Sequence, residues 1–179
     1  MKSLILITCA TLCFAATEPI VSIGSLKRVE ASINDKLRSN INDPYDLLGT
    51  ARGTYLEGYG AVFTVELDLV LGSSLYMSPF KPSITDKEKN AMHDRKAQKL
   101  VALKDTMRGL MAGASDSLPG LPPDEHLVME AFLFHYSWEN TRGLPHRIVL
   151  TAQKRRLQDA LNRHVSPAEL AAVIEETEL

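Results

Sequence analysis

The sequence predicts an α+β fold: an antiparallel sheet of about four strands carrying helices mainly on one face. Three observations predict it. From Phe63 to Leu71 apolar residues alternate with polar ones, the period of a strand with one buried face. From Thr85 to about Ala112 the apolar residues recur instead at helical steps. The first two strands are separated only by Glu57-Gly58-Tyr59-Gly60, too short for a helical crossover, which argues against a doubly wound parallel sheet.

The elements follow in order. Leu26, Val29, Ile33, Leu37 and Ile41 recur at three- and four-residue steps and predict an amphipathic helix from Ser25 to about Asn40, stopped by Asp43-Pro44. Thr50 to Leu56 is a strand that the glycine-containing turn folds back on the Phe63 strand as a hairpin. A loop with Pro79 and Pro82 leads to the capping box Thr85-Asp86-Lys87-Glu88, which opens the long helix. Met92, Leu100, Leu103, Met107, Leu110 and Met111 form its apolar stripe. His126 to Ser137 is apolar on both parities, as a central strand is, and His146 to Ala152 is a shorter strand. A basic helix from Lys154 to Arg163 follows. Ser166-Pro167-Ala168-Glu169 then opens a last helix that turns Leu170, Val173 and Ile174 inward.

A chain of 179 residues with 45% hydrophobic and 23% charged side chains has ordinary globular composition, which excludes collagen-like, low-complexity and multi-span membrane classes. Its first residues, MKSLILITCATLCFAA, have the basic start, apolar middle and small-residue exit of a secretory signal peptide. Cleavage after Ala15 makes residues 1–15 the leader and residues 16–179 a single domain, periplasmic or secreted. The apolar stretch is shorter than the roughly 18 residues that span a bilayer, so no transmembrane segment is expected in the mature chain. Cys9 and Cys13 both leave with the leader. The mature domain is then cysteine-free, without a disulfide or a thiol nucleophile. The formal charge of −2 offers no global field for nucleic acid.

The segment GTYLEGYGAVFTVEL, Gly53 to Leu67, resembles an uncharacterised family of small exported bacterial proteins that share a GxYLxGYGxVFxxE hairpin motif. LFHYSWENTRGLP, Leu133 to Pro145, is similar to a second block of the same family. The resemblance implies bacterial export and carries no activity with it.

The chemistry-bearing residues sort into few candidates. Arg52, Tyr55, Glu57 and Tyr59 around the hairpin turn offer a guanidinium, a carboxylate and two phenols as a ligand-binding rim. Glu66 and Asp68 stand two residues apart on one strand, with Cα atoms roughly 6.6 Å apart, near the carboxylate spacing of inverting glycosidases. With Glu130 they define the alternative, a small carboxylate-dependent hydrolase; otherwise the alternating acids form a solvated strand face. The histidines, His93, His126, His135, His146 and His164, lack ligand spacing, so no metal and no cofactor is expected. No GxSxG, P-loop or GxGxxG pattern occurs, leaving serine-hydrolase and nucleotide-binding classes without support. The basic tract Arg142, His146, Arg147, Lys154, Arg155, Arg156 and Arg163 reads as a solvated face paired with neighbouring acids, as do the lysines and arginines between Lys87 and Arg108. The expectation is a non-enzymatic exported domain that binds an envelope partner or a small ligand.

Overall fold

The computed structural model describes residues 21–39, 44–72 and 83–179. The expected leader, the expected helix stop at Asp43 and the expected loop with Pro79 and Pro82 lie outside these residues. The elements are α1 (Ile23–Arg38), β1 (Asp46–Leu47), β2 (Arg52–Leu56), β3 (Gly60–Asp68), α2 (Asp86–Ser117), β4 (His126–Leu133), β5 (Arg147–Gln153), α3 (Lys154–Asn162), α4 (Pro167–Ala172) and β6 (Glu175–Glu178). Both expected capping boxes form. The Thr85 hydroxyl accepts from Glu88 N at 3.3 Å, and the Ser166 hydroxyl accepts from Glu169 N at 3.3 Å.

The fold is α+β, but the sheet has six strands rather than four and is mixed rather than antiparallel. β3 runs parallel to β4, with Phe63 opposite Met129 and Val65 opposite Ala131. The 32-residue α2 between them is the crossover that a parallel pair requires. β1 and β2 both pair antiparallel with the other edge of β3. β5 pairs antiparallel with β4 and with β6. The last helix stops at Ala172 with none of its own residues buried, so of the expected inward residues Val173 and Ile174 lie beyond it, with Ile174 buried, and residues 175–178 form a strand. Their sequence, Glu-Glu-Thr-Glu, has poor strand propensity. It is held by pairing with β5 and by ion pairs from α2: Lys104 to Glu176 at 2.9 Å and to Glu178, and Arg108 to Glu176 at 2.6 Å.

One parity of the sheet makes the core. Ala61, Phe63, Val65 and Leu67 of β3, Leu127, Met129, Ala131 and Leu133 of β4, and Ile148, Leu150 and Ala152 of β5 are all buried. They join Val29, Ile33, Leu37, Leu103, Met107, Met111 and Leu157 of the helices in one continuous cluster. On the other parity, Val62, Thr64, Glu130, Val149 and Thr151 are half-buried and Arg52, Glu66 and Phe132 are exposed; we call this the outer face. Arg156 of α3 and Val173 flank His126, Thr151 and Gln153 of the outer face, so the one-sided layering expected from the sequence is incomplete.

Local devices fix the hairpin. Gly60, at φ +144°, has no room for a side chain, because a Cβ there would collide with the His126 carbonyl. Gly53 faces Phe63 across the β2–β3 pair, and the Phe63 ring fills the space a side chain at 53 would occupy. α1 covers the outer edge of this strand: Glu30 accepts from Gly53 N at 2.8 Å and Asn34 from Ala51 N at 2.9 Å.

Three lysines assigned to solvated faces are buried instead. Lys96 and Lys99 lie on the apolar stripe of α2, the latter donating to Pro44 O at 2.8 Å with its ammonium 4.5 Å from the Tyr45 ring centroid. Lys154, at the first turn of α3, donates to Leu118 O at 2.8 Å and Leu121 O at 2.6 Å, so it ties α3 to the turn that follows α2. Burial holds its ammonium below the ordinary lysine range.

Candidate functional site

The sheet register brings side chains from β2, β3, β4 and β5 together on the outer face. Arg52 stands opposite Thr64, Thr64 opposite Glu130, and Glu130 opposite Val149. One step along, Glu66 stands opposite Phe132, and Phe132 opposite Arg147. Between them opens a cleft of about 370 Å³ lined by Gly49, Thr50, Arg52, Thr64, Val65, Glu66 and Phe132. β1 ends at Leu47 and β2 begins at Arg52; Leu48 N still donates to Glu66 O at 3.0 Å, and Gly49 and Thr50 between the two strands form one wall.

The cleft has two unengaged charges. Among the described residues, the Arg52 guanidinium and the Glu66 carboxylate make neither an ion pair nor a hydrogen bond. The neighbouring charges are committed: Arg147 is 3.1 Å from Glu130, and its guanidinium lies 5.9 Å from the Phe132 ring centroid. Phe132 is 41% exposed, a large apolar surface at the mouth of the cleft.

The residues proposed around the hairpin turn divide. Arg52 and Tyr55 differ in parity and project from opposite faces of β2. The Tyr55 hydroxyl donates to Glu125 at 3.1 Å, and Gly58 N donates to the same oxygen at 3.1 Å. The Tyr59 ring stacks on His126 at 5.6 Å between centroids. Both tyrosines therefore fasten the hairpin tip to the start of β4, Glu57 stays exposed, and only Arg52 lines the cleft.

The three carboxylates divide as well. Glu66 lines the cleft and Glu130 is paired with Arg147. Asp68 is 2% exposed, although it shares the parity of Glu66. It ends β3, accepts from Val70 N at 3.1 Å, and lies 2.8 Å from Lys96 Nζ.

Lys96 is the hub of a buried network that sequence reasoning missed. Its ammonium also contacts Glu139 at 2.6 Å and donates to Phe134 O at 3.2 Å. His135 Nδ1 is 3.5 Å from Glu139, and its Nε2 hydrogen-bonds to Pro145 O at 3.0 Å. Burial raises the Glu139 carboxyl, but His135 and Lys96 outweigh it and hold the group below the usual carboxylate range. The network ties the end of β3, α2 and the β4–β5 connection together. The signal for it was Lys96 itself, which occupies a core position between Met92 and Leu103 on the α2 stripe.

Among the described residues no cluster of three or more His, Cys, Asp or Glu is arranged to hold a metal ion. No described helix is long and apolar enough to cross a membrane. Comparison with protein-family models, curated proteins and solved structures finds no significant match to this chain.

Proposed function

We propose that this chain is a non-enzymatic binding domain of the bacterial envelope, exported by its leader, and that the outer-face cleft seats a small ligand. The observation that carries the reading is the pair of unengaged opposite charges, Arg52 and Glu66, beside the exposed Phe132. Charged side chains with no internal partner and an apolar wall are the elements that a ligand site supplies. The hydrolase alternative calls on Glu66, Asp68 and Glu130, yet Asp68 is spent on Lys96 and Glu130 on Arg147. That division favours binding over carboxylate catalysis, which needs its acid and base flanking one substrate.

The test is a fragment screen on the mature protein followed by backbone amide resonances. Shifts are expected to gather at Thr50, Arg52, Thr64, Glu66 and Phe132, and to vanish in Phe132→Ala with the melting temperature unchanged. Shifts gathered at the hairpin tip, or none anywhere, overturn the reading.

A further inference from the structure

We infer that the cleft is built for a small zwitterion, an amino acid or dipeptide with an apolar side chain. The inference rests on the binding reading and adds the class of ligand. Arg52 is directly opposite Thr64, so Glu66, two residues along β3, is its diagonal neighbour. Diagonal Cα atoms on paired strands are roughly 7–8 Å apart, within reach of long side chains. Arg52 and Glu66 line the same cleft but do not pair with each other. A ligand carrying a carboxylate and an ammonium close together engages both, the carboxylate on the two-pronged guanidinium and the ammonium on Glu66.

The surroundings narrow the class further. A ligand with only a carboxylate brings its charge beside Glu66, and one with only an amine brings its charge beside Arg52, so each meets one repulsion along with its attraction. A dipolar ligand meets none. The next guanidinium, Arg147, is already neutralised by Glu130 and does not tip the balance toward anions. The Thr50 and Thr64 side chains add hydrogen-bonding capacity, and Gly49 leaves its side of the wall open. The exposed Phe132 gives the ligand's apolar part a face to cover. A volume of about 370 Å³ suits a small molecule rather than an extended polymer.

The experiment titrates the mature protein with leucine, dileucine, N-acetylleucine and leucinamide, reading amide shifts at Thr64, Glu66 and Phe132. Leucine or dileucine is expected to bind at least about tenfold more tightly than either singly charged analogue, the effect of one charge-assisted contact. Comparison of leucine with dileucine identifies the source of the zwitterion. Glu66→Gln is expected to bring leucine down to the level of N-acetylleucine, and Arg52→Gln down to that of leucinamide, with melting temperatures unchanged. Equal binding of zwitterions and singly charged analogues overturns the inference. Fragments that shift the cleft while both zwitterions do not also overturn it, leaving the binding reading intact; silence from fragments and zwitterions alike overturns both.

Discussion

Lys96 Nζ lies 2.8 Å from Asp68 Oδ1, with both side chains 2% exposed or less, so a salt bridge joins the last residue of β3 to the middle of α2 inside the protein. Asp68→Asn leaves the Lys96 ammonium to Glu139 and the Phe134 carbonyl, so it removes one charge-assisted contact rather than the whole compensation of the buried charge. The loss is expected to be about 1.5–3 kcal/mol. Glu66→Gln, two residues away on the same strand and exposed, is expected to stay within roughly ±0.5 kcal/mol. Urea unfolding of the two variants checks this; equal losses would contradict the burial of Asp68.

Glu139 makes the same network sensitive to acid. Its folded-state pKa lies below the ordinary carboxylate value of 4.5, since His135 and Lys96 outweigh its burial. A depressed carboxylate contributes stability that is present above its unfolded value and lost as the pH falls through its folded value. The stability difference between the native chain and Glu139→Gln is expected to be largest near neutrality and to shrink as the pH falls below about 4.5. Denaturant midpoints across that range measure it, and a difference that grows with acid would contradict the depression.

Phe63 is fully buried and packs over Gly53, whereas Thr64 points to the outer face. Phe63→Ala is expected to cost about 3–5 kcal/mol and Thr64→Ala far less. Calorimetric melting of both variants tests the parity of β3, which equal shifts would refute.

Gly60→Ala is expected to destabilise the protein sharply. The new methyl would collide with the His126 carbonyl at a backbone angle that L side chains rarely adopt. The collision lies where β3 meets β4, so amide exchange should rise first at residues 60–63 and 126–129. Gly58→Ala, strained but with open space around its Cβ, is expected to cost less.

The proposed export, with a leader cleaved after Ala15, predicts a mature chain that begins near Ala16 or Thr17 and contains no disulfide. N-terminal sequencing of material from the periplasm of a bacterial host reads this directly. A retained Met1 in that fraction would overturn the export proposal.

The sequence by itself determined what nearest neighbours along the chain control. The stripe of α1 from Leu26 to Leu37, the two capping boxes, the Gly58–Gly60 hairpin and the alternation of β3 from Ala61 to Leu67 depend on residues within a few positions of one another and stand where the pattern put them; Ile41 of the expected stripe lies outside the described residues, and β3 stops at Asp68, short of the expected Leu71, which is exposed. Of the candidate site, Arg52 is legible as a member of a rim around the hairpin turn and Glu66 as one of three carboxylates, but not the two as neighbours in one cleft. Only the tertiary structure decided that Phe132 stands beside them, because the parallel pairing of β3 with β4 is carried by a 32-residue helix and no local pattern encodes it. It also decided that Asp68, the parity twin of Glu66, leaves the solvent for Lys96, and that Glu-Glu-Thr-Glu becomes a strand once Lys104 and Arg108 neutralise it. Propensity and periodicity report on a residue's own element, whereas the cost of burying a charge depends on which opposite charge arrives from elsewhere in the chain.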